Sequence, residues 1–222
     1  MGKLIVIEGL DGSGKSTQLE RLEKRLNEAG RHCLSVSFPD YGSDSSALVK
    51  MYLAGRFGSR PEDVNAYAAS AFYTVDRYAS YKMNWGEHYQ NGGTVIAGRY
   101  TTSNAVHQAS KLPQQAWPAY LDWLYDFEYR KIGIPKPDLV IFLDMPTAVS
   151  QELLKKRYEQ AGGEKDIHER DVAYLEHCRK AALFTAERWG WKVIPCAQGG
   201  KPLSIEEISD RVLQAVEAVY RE

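Results

Sequence analysis

The sequence predicts an α/β fold, a doubly wound, about five-stranded parallel sheet flanked by helices. Three observations carry this expectation. Short apolar runs alternate with longer segments of helical period. The runs are rich in β-branched residues and almost unbroken by polar ones, as in parallel strands covered on both faces. The first run also leads straight into a glycine-rich turn that opens a helix, the local order of a phosphate-binding strand–loop–helix unit.

The strand candidates are KLIVIE (3–8), CLSVSF (33–38), TVIAG (94–98), LVIFLD (139–144) and WKVIP (191–195). A helix opens in the glycine-rich turn and runs to about Ala29, with Gly30 as its stop. A short helix falls within SDSSALVKMYLAG (43–55). A long one is expected to open at Ser59, with Pro61 in its first turn and Glu62 completing a capping box, and to reach Gln90 before NGG. Further helices cover about 103–112, 114–131, 147–160 and 170–189. The last opens at Ser204, with Glu207 three residues on, and ends near Tyr220. The glycine pair and charges of GGEKDIHE (162–169) read either as a mobile flap or as a solvated turn between two helices. No repeat divides the chain, so residues 1–222 are expected to form one domain.

The 28 basic and 29 acidic residues leave a formal charge of −1. That balance provides no global attraction for nucleic acid or an anionic membrane, and neither is expected as a partner. Any anion site must come from local basic clusters. Cys33, Cys178 and Cys196 lie far apart, with no CxxC pair, which argues against a zinc site or a disulfide framework. The apolar run Leu4 to Ile7 is too short for a signal-peptide core, and no run approaches a membrane span. A cytoplasmic protein is the expectation.

The stretch GLDGSGKST carries the first chemistry. Gly9, Gly14, Lys15 and Ser16 match G-x-x-x-x-G-K-[ST] in full. Its glycines let backbone N–H groups converge on a β-phosphate, and the helix N-terminus adds its positive end. Lys15 can bridge β- and γ-phosphates, and the Ser16 hydroxyl can ligate Mg²⁺. The nucleotide grip is therefore Gly9, Asp11, Gly12, Ser13, Gly14, Lys15, Ser16 and Thr17, with ATP and Mg²⁺ as its expected occupants.

Three further stretches supply a candidate acceptor site. FPDYG (38–42) leaves the second strand with Phe38 and Tyr41. In FYTVDRYAS, Tyr73 and Arg77 stand four residues apart on one helix face, either to stack on and hydrogen-bond a flat base or as a surface pair. In GRYTTSNAVHQASK, Arg99 follows the third strand at its C-terminal tip, where open α/β sheets bind ligands. Asn104, His107 and Gln108 fall within about one turn of each other just beyond.

Taken in order, IEGLDGSGKSTQ, FPDYG, YTVDR, GRYTTSNAVHQ, GIPKPDLVIFLD and HERD resemble the thymidylate kinase family. The resemblance covers most of the chain and implies a P-loop nucleoside-monophosphate kinase fold with a short lid, about residues 156–170. It implies phosphorylation of dTMP by ATP with Mg²⁺, and a homodimer. Lys15 and Ser16 would hold the ATP phosphates and metal, while Asp11 would face the acceptor's sugar and phosphate. Tyr73 takes the place of a base-stacking aromatic, usually Phe. Arg77 would read the O4 side of thymine, Asn104 would complete pairing with the base edge, and Arg99 would bind the acceptor phosphate. His107 falls where an aromatic usually disfavours a 2′-hydroxyl, and Gln108 joins the same site. With no Arg in the phosphate loop, catalytic charge would come from the lid. Arg157 is the first choice, with Lys155, Lys156, Lys165 and Arg170 nearby. CAQGGK (196–201) sits where related kinases wrap a loop around adenine, which brings in Lys201.

Two departures stand out. Gly98-Arg99-Tyr100 replaces the family's usual Asp-Arg-Tyr, and Asp40 stands where relatives often have Arg or Glu. They keep two alternatives open. One is a deoxynucleoside kinase acting on thymidine, with Asp40 as general base. The other is a catalytically weakened, nucleotide-binding paralogue.

Overall fold

The computed structural model describes residues 1–161 and 172–221, with side chains throughout except at 156–158, 160 and 161. Five strands form one parallel sheet: β1 (Lys3–Gly9), β2 (Cys33–Ser37), β3 (Thr94–Gly98), β4 (Leu139–Asp144) and β5 (Lys192–Pro195). Their order is β2-β3-β1-β4-β5. Chain order reverses direction at β1, so the loops after β1 and β3 open on the same crevice, the switch point of a doubly wound sheet.

The unbroken apolar runs follow from a core on both faces. In β1, Leu4 and Val6 pack with Val95, Ala97 and Phe142 on one side. The alternate residues Ile5 and Ile7 pack with Ile96, Ile141 and Leu143 on the other. That second layer is closed by Leu22 and Leu26 of α1 (Lys15–Glu28) and by Ile208, Val212 and Val216 of the C-terminal helix, Ile205–Val219. That helix opens as expected, with the Ser204 side chain accepting from the Glu207 N–H at 3.1 Å.

Between β2 and β3 lie α2 (Ala47–Leu53) and α3 (Ala66–Ser80). The long helix expected from Ser59 starts later. Arg60 and Asp63 close a separate turn over Pro61–Asp63, and the chain is extended at Val64 before Asn65 caps α3. Asn65 Oδ1 accepts from the Ala68 N–H at 2.9 Å, and that bond sets the true start. From there the helix runs to Gln90 as expected, through a wide π turn at Tyr81–Trp85 and a last piece, α4 (Gly86–Gln90).

After β3, α5 (Thr101–Ser103) widens at once into a π turn over Asn104–Gln108. Next, α6 (Trp117–Tyr125) continues as a π segment over Asp126–Ile132 and stops at Gly133, whose φ is 77°. The remaining long helices are α7 (Thr147–Ala161) and α8 (Val172–Trp189), and of the expected lid, about 156–170, residues 162–170 lie outside the described residues. One element was absent from the expectation: Ala197–Gln198 pairs with Lys201–Pro202 in a two-residue hairpin. Its turn residues Gly199 and Gly200 both have positive φ, as such tight turns require. Among the described residues no helix is long and apolar enough to cross a membrane.

Candidate active site

The phosphate loop leaves β1 and turns into α1 through Gly12 and Gly14, with φ of 79° and 86°, a region that a β-carbon disfavours. Helix α1 then begins with no side-chain cap and no acidic residue in its first turn. Its first N–H groups and positive end are therefore left for an anion. Ser16 and Thr17 are exposed on that turn. Ser13 Oγ is buried with no partner among the described residues. Lys15 Nζ rests on the Leu10 carbonyl at 2.9 Å and lies 3.6 Å from Asp11 Oδ1.

Arg99 faces this loop from the tip of β3. It is the sole non-glycine residue with positive φ, 66°, among those described. A strained arginine at a strand tip marks a position held for use. Its Nη2 donates to Asp11 Oδ1 at 2.6 Å, and its Nη1 lies 3.1 Å from His107 Nε2. An arginine can only donate, so that imidazole nitrogen accepts.

The electrostatics follow from this cluster. Burial alone would raise the Asp11 pKa, but Arg99 and then Lys15 outweigh it and hold the carboxyl well below the usual range. Burial, followed by the Arg99 charge, lowers Lys15 to about 8, against the opposing pull of Asp11 and Glu8. Burial works against the charge on Arg99 too, yet Asp11 and Glu8 raise its pKa overall. Glu8 is fully buried, and its Oε2 accepts from the Thr102 and Ser103 hydroxyls at 2.7 and 2.6 Å.

Beside the cluster opens a cavity of about 140 Å³. Asp11, Phe38, Tyr41, Tyr73, Arg77, Arg99, Asn104, His107 and Gln108 all line it. So do Tyr52, Tyr100, Ser103 and Tyr174, which the sequence did not single out. The Tyr73 ring is braced edge-on by Tyr52, with centroids 6.4 Å apart. Gln108 Oε1 is buried with no partner among the described residues. Asp40 does not line the cavity. Its backbone N–H donates to Asp76 Oδ2 at 2.8 Å, and Asp76 also accepts from Ser45 Oγ at 2.7 Å.

The reading of Tyr73 and Arg77 as a surface pair is overturned. Arg77 is 1% exposed and enters the structure as half of a buried ion pair. Its Nε donates to Glu128 Oε2 at 2.9 Å and its Nη2 to Glu128 Oε1 at 2.5 Å. The same carboxylate accepts from Thr74 Oγ1 at 3.0 Å, Thr101 Oγ1 at 2.6 Å and Asn104 Nδ2 at 3.1 Å. Glu128 sits in the π segment after α6, within the charged run YDFEYRK. In one dimension that run reads as a solvated helix face, so no signal pointed to it.

The candidate lid residues divide in two. The side chains of Lys156 and Arg157, and residues Lys165 and Arg170 entirely, lie outside the described residues. Lys155 is exposed and pairs only loosely with Glu159, at 3.9 Å. Lys201 stands exposed on the small hairpin.

The arrangement joins the glycine-rich loop to the cavity through one carboxylate–arginine pair, Asp11 and Arg99. For a magnesium ion, the exposed Ser16 hydroxyl beside Lys15 fits an ion that keeps most of its ligands from phosphate and water.

A family model described as thymidylate kinase matches residues 7–208. The thymidylate kinase of Mycobacterium tuberculosis (strain H37Rv) is 31% identical over 198 residues, covering 86% of this chain and 90% of its own. That of Danio rerio is 24% identical over 222 residues, covering 97% and 93%. A solved structure of thymidylate kinase from Candida albicans superposes with a TM-score of 0.71 at 22% identity, across 98% of this chain and 92% of that one, and bears on the fold alone.

Proposed function

The chain belongs to the thymidylate kinase family, and on that premise we infer that it transfers the γ-phosphate of ATP to dTMP, giving dTDP and ADP. The observation that carries this reading is one cavity whose lining combines Asp11 and Arg99, tied to each other at the phosphate loop, with Arg77 and Asn104. A nucleoside monophosphate makes the same two demands, with an anionic phosphate and a hydrogen-bonding base.

In the reaction, an oxygen of the dTMP phosphate forms a bond to the γ-phosphorus as the bond from that phosphorus to the bridging oxygen of ADP breaks. Two polyanions must approach, so the protein's task is positioning and charge neutralisation. Lys15 and the first-turn amides of α1 would hold the ATP phosphates. Arg99, kept charged and oriented by Asp11, would receive the acceptor phosphate. Tyr73 would stack on the base while Arg77 and Asn104 meet its edge. Ser16 would hold Mg²⁺, which when bound offsets charge on the β- and γ-phosphates. Arg157 and Lys201 are proposed to complete the ATP site.

A hydroxyl acceptor such as thymidine would need a base at the 5′-oxygen. Asp40, the candidate for that role, does not line the cavity and its main chain is tied to Asp76. The monophosphate reading is therefore favoured. We also propose a homodimer and a cytoplasmic setting. Supporting the dimer, Leu48, Met51, Val75, Tyr78 and Met83 are large apolar residues exposed on α2, on α3 and in the π turn beyond it. Light scattering on the purified chain tests that.

An ADP-coupled assay across dTMP, dUMP, thymidine and dCMP tests the activity. Turnover is expected to depend on dTMP and Mg²⁺. Turnover of thymidine but not dTMP would select the nucleoside kinase, and tight ATP binding without any acceptor-dependent turnover would select the weakened paralogue.

A further inference from the structure

Five donors converge on the carboxylate of Glu128, which is fully buried: two from Arg77, one each from Thr74 and Thr101, and one from Asn104. They come from α3 and from the turn after β3, so one side chain ties together two elements that line the cavity. We infer that Glu128 is a positioning residue that sets the hydrogen-bonding code of the pocket for a base with a carbonyl beside an N–H, and so selects thymine over cytosine. The inference rests on the dTMP kinase reading above.

The orientation of the Asn104 amide decides what the pocket offers a base. A buried carboxylate beside Arg77 can only accept, so Asn104 must present its NH₂ group to it. Asn104 Nδ2 spends one hydrogen on Glu128 Oε1 at 3.1 Å and the other on the Ser70 carbonyl at 3.3 Å. No donor among the described residues reaches its Oδ1, which leaves an acceptor for the ligand. The opposite orientation would set three oxygens against one another with no proton between them. Arg77 is constrained in the same way. With Nε and Nη2 engaged on Glu128, Nη1 holds only a long contact of 3.4 Å to the Tyr100 carbonyl. One donor and one acceptor are thus left for the cavity that both residues line. Thymine meets them with its O4 and its N3–H. Cytosine presents an amino group and a bare ring nitrogen, which would face a donor with a donor and an acceptor with an acceptor.

The test compares wild type and Glu128→Gln with dTMP and dCMP at saturating ATP. Wild type is expected to prefer dTMP. Glutamine cannot accept at both oxygens, so the variant should lower the ratio of kcat/KM for dTMP over dCMP by about tenfold or more. The KM for ATP should stay unchanged. An unchanged ratio, whatever happens to Tm, overturns the inference and leaves Glu128 as an ion-pair partner of the fold. Asn104→Ala provides the second arm, because it removes the reader and keeps the carboxylate. It should lose part of the same preference, and adding Glu128→Gln to it should cost less discrimination than Glu128→Gln costs in wild type, because only the hold on Arg77 is left to lose. Additive losses would overturn the inference, as would an Asn104→Ala enzyme that keeps its preference. A wild type that turns over no pyrimidine monophosphate would instead overturn the kinase reading. Calorimetric binding of dTMP and dCMP to the same proteins then decides the role of Glu128, and equal binding by wild type would reject it.

Discussion

Arg99 Nη2 donates to Asp11 Oδ1 at 2.6 Å, linking the tip of the third strand to the phosphate loop. On the proposed function the pair would join the two halves of the reaction, because Asp11 belongs to the glycine-rich loop and Arg99 stands beside it in the wall of the cavity. Asp11→Ala would leave Arg99 and Lys15 facing each other without their shared anion. We expect kcat/KM for dTMP to fall about ten- to a hundredfold, the scale of losing an orienting charge-assisted bond. Asp11→Asn, which keeps an acceptor oxygen, should fall between that variant and wild type. Steady-state kinetics on the three proteins decides.

Lys15 provides a pH dependence. Its pKa is lowered to about 8 in the protein, chiefly by burial and then by Arg99. Below that value the lysine is already protonated and ATP meets a cation. As pH rises above it, the proton must be taken up on binding, so apparent affinity falls by up to about tenfold per pH unit until the pKa of the complex is reached. Calorimetric ATP titrations from pH 7.5 to 10 should show Kd rising across that window. A flat profile would mean that Lys15 stays charged in the free protein. The sign for folding is opposite to that of a salt-bridged lysine. The depressed pKa costs stability below about 8, and the cost is relieved as pH rises toward the unfolded value of 10.5.

Gly98→Asp restores the acid that the family usually carries. A Cβ there would meet Leu19 Cδ2 at 3.3 Å and Ser37 Oγ at 3.5 Å, and Gly98 is not among the positive-φ glycines. The backbone accepts a side chain, and Leu19 must give only slightly. We expect a folded variant, destabilised by about 1–2 kcal/mol, whose rate rises and whose Mg²⁺ requirement falls. An unchanged or lower rate would show that this chain has rewired the contacts around its metal and Arg99.

Asn65→Ala tests where the acceptor-site helix begins. Its side chain makes the bond that caps α3, so the change should cost about 1 kcal/mol. Ser59→Ala, at the start first read from the sequence, should cost a few tenths at most. Chemical denaturation of both variants separates the two starts.

Much of this protein is legible in one dimension. The parallel sheet was readable because strands covered on both faces leave continuous apolar runs, and the nucleotide grip because its glycines and lysine are contiguous. Arg77, Arg99, Asn104 and His107 could each be named from motif spacing. What folding alone decided is how those groups face one another. The start of α3 was decided by a side-chain bond from Asn65 rather than by the serine–glutamate spacing upstream. Arg99 points at Asp11 because β1 and β3 are neighbours in the sheet. Arg77 and Asn104 face the cavity in one orientation because a glutamate some 24 to 51 residues later in the chain is buried between them. A buried carboxylate needs donors from several elements at once, and no local pattern of residues records that convergence.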